Sequence, residues 1–338
     1  MGTASPALQL FDLIQSHRVT AVIYVAAKLG LAELLCNGPQ SLTQLAEKTG
    51  ADRPSLERLL RALLTIGLCT HSDETGYSLT EIGAALDGTA DHSFKGWAIF
   101  EAEMLSKAWG GMLESIMTGK TAAELLGLSS SFELMSRYPE NVGIFNGAMA
   151  DLTRVVVEDV LPAYDFSQVS HLLDVGGGSG ELIGAVTKTY KHIRGTVFDL
   201  PRCAATANEH LKRVGVSDRA EFVAGNFFEK VPAGADSIVL KSVIHDWNDE
   251  RSGVILQNCR RALADGGELI LIERVMSEAP AVNDEDKSHA MSDLNMMRGP
   301  GGCERTKKQY RDLLAKSNFH IMSISPAGRF SIIAARAS

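Results

Sequence analysis

Long apolar runs are missing from this 338-residue chain. The first stretch of any length, Ala21–Ala27, is stopped by Lys28, and nothing approaches the roughly 20 apolar residues that a bilayer span needs. A basic segment followed by an apolar core is also missing near Met1, so no secretory leader is expected. Cysteine is sparse. The five residues Cys36, Cys69, Cys203, Cys259 and Cys303 are odd in number, far apart, and form no CxxC pair. Such spacing speaks against a disulfide framework or a zinc site, and a reducing cytoplasm without a bound metal is the expectation. Positive charge is not in excess either: 33 Lys and Arg stand against 41 Asp and Glu, a formal net charge of −8. A surface built to neutralise phosphates would need the opposite balance. No GxxxxGK[ST] phosphate loop, low-complexity tract or internal repeat occurs.

What is present suits a globular protein of two domains, with 45% hydrophobic and 22% charged residues. The pattern changes near residue 165. Before it, apolar residues recur at helical spacing. After it, short β-branched runs alternate with helical segments, the signature of an α/β protein with a mostly parallel sheet. Strands are expected at His171–Val175, Gly195–Asp199, Ala220–Ala224, Ser237–Lys241 and Glu268–Val275, with two more around His320–Ile324 and Phe330–Ala335. The clearest helices between them are Gly180–Tyr190 and Asp249–Ala264, while Ser277–Lys287 reads as a solvated loop. The division expected is 1–100, 101–165 and 166–338.

In the first hundred residues, Ser41 and Gln44 form a capping-box signature. Leu56, Leu59, Leu60, Leu63 and Leu64 then line one face of a second helix, and Asp73–Gly76 tips a hairpin. Helix, helix and hairpin make a winged-helix pattern. Arg53, Arg58 and Arg61 on the second helix are compatible with DNA binding, but Asp52, Glu57 and the acidic hairpin tip oppose phosphate contact. A structural or dimer-forming module is the expected role, and nucleic acid is not an expected partner.

The segment Leu172–Gly180 (LLDVGGGSG) is the most informative. A hydrophobic strand ends in Asp174, and glycines at 176, 178 and 180 lead into a helix. Glycine lets the backbone turn sharply and approach a ligand at the carboxyl end of a strand. The GxGxxG of a dinucleotide site fails, because Glu181 follows five residues after Gly176 and Ile183 five after Gly178. The tighter GxGxG suits S-adenosyl-L-methionine, which has no pyrophosphate to seat. Asp199, ending the next strand, can accept from both ribose hydroxyls. Asn226 and Phe227, after the third strand, are placed for the adenine edge and face, whereas Phe228 reads as a core aromatic.

After the fourth strand comes Val239–Asp249 (VLKSVIHDWND), which sets His245 beside the same crevice. Methyl transfer to a hydroxyl needs its proton removed. A phenol near pKa 10 and a free histidine near 6.5 leave a gap of roughly 5 kcal/mol if transfer precedes attack. A positioned base acting as the bond forms reduces that demand. Glu273 and Glu304 are the carboxylates that can hold the imidazole, although Glu304 also fits the start of a helix.

Together Asp174–Gly180, Phe198–Pro201, Leu240–Asp249 and Gly301–Thr306 resemble the metal-independent small-molecule O-methyltransferases that use S-adenosyl-L-methionine. That family spans plant caffeic-acid-type enzymes, acetylserotonin methyltransferases and bacterial natural-product enzymes. The resemblance implies a Rossmann-like, seven-stranded methyltransferase sheet behind an N-terminal winged-helix dimerisation domain, hence a homodimer. It implies a small hydroxylated aromatic acceptor, such as a phenazine or polyketide, and no membrane partner. Under it His245 is the general base, flanked by Glu273 and Glu304. Gly176, Gly178, Asp199, Asn226, Phe227, Lys241, Asp246 and Trp247 fall at cofactor positions. Phe145, Met149, Asn295 and Met296 fall at acceptor positions, the last sharing a helix face with Asp293, apart from the face of Ala290, Leu294 and Met297 that is expected to pack inward. The family often has Asp where Asn226 stands. Three alternatives stay open: N-methylation, hydroxylation or decarboxylation on the same fold, and a ligand-responsive DNA-binding regulator.

Overall fold

The computed structural model describes residues 5–128, 131, 133 and 139–337. Contacts divide the chain into two units, Met1–Gly110 with Glu140–Leu152, and Gly111–Pro139 with Thr153–Ser338. The helical stretch after residue 100 is thus shared between them.

In the first unit, Ser41 caps the helix Leu42–Thr49 in the expected capping box with Gln44. Asp52 caps Arg53–Thr65, and the strands β1 (Cys69–Ser72) and β2 (Gly76–Leu79) form the hairpin. Leu56, Leu60 and Leu63 pack with Leu45, Ala27, Leu31 and Leu35, while Leu59 and Leu64 are only partly buried. Arg53, Arg58 and Arg61 face solvent. The first helix, Pro6–Gln15, buries nothing and exposes Leu8, Leu10, Phe11, Leu13 and Ile14.

The second unit holds a seven-stranded sheet. Its strands are β3 (His171–Val175), β4 (Arg194–Asp199), β5 (Ala220–Ala224), β6 (Ala235–Lys241), β7 (Leu263–Glu273), β10 (Phe319–Ala327) and β11 (Phe330–Ala337), in the order β10-β11-β7-β6-β3-β4-β5. The first five run parallel, and β11 lies antiparallel to both β7 and β10. This is the Rossmann-like methyltransferase arrangement. Leu172, Leu173, Val175, Ile238, Leu240, Leu269 and Leu271 are almost wholly buried. Each contributes about 1.5–3 kcal/mol of apolar burial, so the register of the central strands is strongly fixed. Because the order reverses at β3, its carboxyl end is a topological switch point where such sheets bind ligands.

Three expectations are corrected. The strand β7 ends at Glu273, two residues before it was expected to end, and the chain leaves the sheet at Arg274. Val275–Met276 (β8) then pairs in parallel with Arg305–Thr306 (β9) in a separate ladder. The expected loop also ends early, because the Asn283 side chain accepts from Asp286 N (2.7 Å) and starts the helix Asp284–Arg298. Asp284, Glu285 and Asp286 suit its positive end. The helix expected to reach Ala264 stops at Ala262, where Leu263 begins β7. Among the described residues, no helix is long and apolar enough to cross a membrane.

Candidate functional site

The carboxyl ends of β3, β4, β5, β6 and β7 converge at one edge of the sheet, which places the glycine loop, Asp199, Asn226, Phe227, Lys241, His245 and Glu273 in one neighbourhood. Gly178 has φ +55 and open space where a side chain would stand. Its N–H donates to Asp199 Oδ2 (2.8 Å), and Leu200 N–H donates to Oδ1 (2.6 Å). The carboxylate therefore pins the loop while remaining partly exposed at the strand end. A Cβ on Gly176 would meet Val243 at 2.7 Å and Phe227 at 3.8 Å, so this position requires glycine.

Phe227 is half-buried, edge-on to Phe228 (4.9 Å) and to Trp247 (6.2 Å). The Arg251 guanidinium lies 4.3 Å from the Phe228 ring centre and 4.5 Å from that of Trp247. Phe228 packs on the core cluster, as a core aromatic should. Asn226 Oδ1 accepts from Phe228 N (3.0 Å) and its amide donates to Glu229, so the side chain also builds the turn that presents Phe227. Lys241 at the end of β6 and Asp174 near the end of β3 are close enough for their charges to interact. Burial raises Asp174 to about 7 against the pull of Lys241, and burial lowers Lys241 against the pull of Asp174.

His245 lies in a 3-10 turn, Ile244–Asp246, and is 6% exposed. Glu273 fixes that turn: its Oε1 accepts from Val243 N (3.0 Å) and Ile244 N (2.8 Å). Its Oε2 is buried without a hydrogen bond, 3.7 Å from His245 Nδ1. Glu304 Oε1 accepts from His245 Nδ1 at 3.0 Å and from Ser292 Oγ at 2.6 Å. Glu304 N–H in turn donates to Asp293 (2.9 Å). Burial would lower the imidazole pKa, but Glu273, Glu304 and Asp246 outweigh it and hold the group up at about 9. Burial likewise works to raise Glu304, yet the His245 charge keeps it below the usual carboxylate range. Glu273 is raised by burial. With Nδ1–H held by Glu304, Nε2 is the nitrogen left for chemistry, 3.6 Å from Asp246 Oδ1. His245, Glu273 and Glu304 also offer ligand atoms within 4.8 Å of one another, a spacing a metal ion could bridge.

Two residues of this site, Arg305 and Ser292, escaped the sequence reading. Arg305 is 1% exposed and clamps the His245 turn from below. It donates to Ile244 O (3.0 Å), Trp247 O (2.8 Å) and Asp249 Oδ1 (2.9 and 3.0 Å). Ser292 and Asp293 hold Glu304 from the Asp284–Arg298 helix. The signal for Arg305 was its place beside Glu304 in the GGCERT segment. Arg305→Met should take the charged donor from two buried carbonyls, leaving them the weaker bonds from Ser252 Oγ (3.3 and 3.2 Å), and destabilise the protein by roughly 1.5–3 kcal/mol. Asp249→Asn, which alters its more exposed partner, should cost about 1 kcal/mol or less. Urea unfolding of both variants tests this; equal losses would mean that the exposed carboxylate, not the carbonyls, is what Arg305 serves.

Asn295 and Met296 are half-buried on the Asp284–Arg298 helix. The buried residues there are His289 and Arg298, and Ala290, Leu294 and Met297 are half-buried instead of packed inward. A reason is visible for His289, whose ring nitrogen meets Arg329 O at 3.2 Å. Phe145 and Met149 belong to the first unit, where Phe145 lies edge-on to Phe100 (5.7 Å).

Comparison with known proteins finds an O-methyltransferase domain matching residues 109–320 and an O-methyltransferase dimerisation domain matching residues 11–87. A phenazine O-methyltransferase of Lysobacter antibioticus is 37% identical over 97% of this chain and 95% of its own. An 8-amino-8-demethylriboflavin N,N-dimethyltransferase of Streptomyces davaonensis is 31% identical over 95% of this chain and 92% of its own. The crystal structure of human N-acetylserotonin methyltransferase with S-adenosylmethionine superposes with a TM-score of 0.90 at 26% identity, covering the whole of both chains.

Proposed function

Because this chain belongs to the S-adenosylmethionine-dependent O-methyltransferase family, we propose that it methylates a phenolic hydroxyl of a small aromatic natural product, with His245 as general base. The observation that carries this reading is His245 itself, buried between Glu273 and Glu304 with Nδ1 engaged and Nε2 left over.

The donor set fits the cofactor. Asp199 stands at the strand end, where its oxygens suit the ribose hydroxyls. Phe227 presents an aromatic face beside the glycine loop, and Gly176 and Gly178 keep the loop free of side chains. Lys241, Asp246, Asn226 and Trp247 complete the proposed cofactor shell. When bound, S-adenosylmethionine supplies the electrophilic methyl group. Phe145, Met149, Asn295 and Met296 are the proposed acceptor contacts, and flat apolar or thioether groups suit an aromatic ring.

The raised histidine decides the chemistry. At about 9, its pKa lies within about one unit of a phenol's, so moving the proton costs roughly 1.4 kcal/mol. The same shift keeps His245 protonated at neutral pH, and only the neutral ring accepts a proton. Activity must therefore rise with pH. Transfer of labelled methyl to a panel of hydroxylated aromatics, measured as kcat/KM against pH, should climb about tenfold per unit above 6.5 and bend near 9. A chelator should leave the rate unchanged. A profile already flat at 6.5 overturns the raised pKa, and a rate unchanged in His245→Ala overturns the base assignment.

The relative that dimethylates an amine favours N-methylation as the second reading. Product analysis separates the two, since an aromatic amine needs no base of high pKa before attack. The dimerisation-domain match, with the apolar residues exposed on Pro6–Gln15, supports a homodimer formed through the first unit.

A further inference from the structure

Arg298 ends the helix that carries Ser292 and Asn295, and it is 2% exposed. Among the described residues it makes no hydrogen bond and no ion pair, and its Nε is enclosed without an acceptor. Burial lowers its pKa with no neighbouring charge contributing. The other deeply buried guanidinium, Arg305, accounts for itself through two carbonyls and Asp249. A guanidinium carries five donors in a planar fork, and a buried one is ordinarily paired. Arg298 has the fork but not the anion.

A second orphan lies one turn earlier. Asn295 Oδ1 is buried with no hydrogen-bond partner. Residues three apart are neighbours on a helix, so Arg298 and Asn295 stand one turn apart on the same side. On that same face Ser292 Oγ donates to Glu304, which holds His245. The face therefore leads away from the base dyad, passing an unmet acceptor and then unmet donors. At 1.5 Å rise per residue, Ser292 to Arg298 covers about 9 Å, a length that a substituted aromatic ring can span.

We propose that Arg298 recognises an anionic group of the acceptor, so that the natural acceptor is a hydroxylated aromatic carboxylic acid, with Asn295 accepting from a hydroxyl or amine on the same ring. The proposal rests on the reading of this helix as an acceptor wall and names the substrate class within it. A planar carboxylate takes two parallel N–H donors from the fork, which a lysine could not supply in that geometry.

The test is binding without turnover, so that it stands apart from the role of His245. Matched probes would be 4-hydroxybenzoate, 6-hydroxy-2-naphthoate and a hydroxyphenazine carboxylate, each against its primary amide. Affinities would be read by calorimetry with S-adenosylhomocysteine present, for wild type, Arg298→Lys and Arg298→Met. In wild type at least one acid should bind about tenfold or more tightly than its amide. Arg298→Met should abolish that preference and leave amide affinity unchanged, and Arg298→Lys should keep part of it. Melting temperature guards the result: without ligand, Arg298→Met should melt at or above wild type, since it removes an unpaired buried charge. No acid preferred by wild type, or a preference that survives Arg298→Met, overturns the proposal. So does a variant that loses S-adenosylhomocysteine affinity instead, because Arg298 would then serve the cofactor's carboxylate.

Discussion

Replacing His245 with alanine is expected to lower kcat by about 10²–10⁴ while the affinity for S-adenosylmethionine stays unchanged. Of the proposed cofactor contacts, Asp246 lies beside the imidazole, 3.6 Å from Nε2, whereas the glycine loop, Asp199 and Phe227 do not depend on it. What the substitution removes is the acceptor for the phenolic proton. It also removes the positive charge between Glu273 and Glu304, both almost wholly buried. With only Arg274, 3.9 Å from Glu304, left to offset two buried carboxylates, they repel one another and His245→Ala should melt lower as well. His245→Asn separates the two effects, because its amide N–H can still donate to Glu304 but cannot take a proton at physiological pH. A catalytic base predicts that both variants lose kcat alike, with Asn retaining more stability. Labelled-methyl transfer gives kcat, calorimetry gives cofactor affinity, and a thermal melt gives stability. Retention of kcat within about tenfold by either variant sinks the assignment, since general-base catalysis is worth more than that.

The parts of this site legible in the sequence are those that a strand end announces. A hydrophobic run followed by glycines marks where β3 stops, and the same period-2 logic places Asp199, Asn226 and His245 at neighbouring strand ends. Parallel strands then bring those ends together without further information, because every crossover returns the chain to the same edge. Glu304 was legible as a candidate carboxylate, but equally as the start of a helix. Its partnership with His245 depends on the chain leaving β7 at Arg274 and pairing Val275–Met276 with Arg305–Thr306, a two-residue ladder with no periodic signature. Arg305 was invisible as a clamp for a similar reason. Its partners are carbonyl oxygens of Ile244 and Trp247, and backbone acceptors are the same at every position of a sequence. The Asp284–Arg298 helix shows the reverse fault: an apolar stripe of Ala290, Leu294 and Met297 was read as inward, yet the chain buries His289 and Arg298 there. Periodicity counts apolar residues, and this helix buries polar ones.

Gly302→Ala is the substitution where that hidden contact should be felt most. Gly302 is not in the left-handed region, so its need for glycine is one of space alone. A Cβ there would fall on the carbonyl oxygen of His245 and within 2.5 Å of Trp247 N. Neither neighbour is a flexible side chain that can step aside. The His245 turn is held by Glu273 through Val243 N and Ile244 N, and by Arg305 through Ile244 O and Trp247 O. With the turn fixed on both sides, the segment from Gly301 to Glu304 has to retreat, and Glu304 is the residue that holds Nδ1. A shift of about 1 Å in a catalytic contact costs on the order of a hundredfold in rate, and overpacking typically costs about 1–3 kcal/mol of stability. Both losses are expected together, with cofactor affinity preserved. Gly253→Ala supplies the contrast: it sits in the helix Asp249–Ala262 with nothing within 4 Å of the added carbon. There the methyl group should stabilise by roughly 0.5–1 kcal/mol and leave kcat alone. Should Gly302→Ala turn over at the wild-type rate, the link from the GGCERT loop through Glu304 to His245 is not what sets the base.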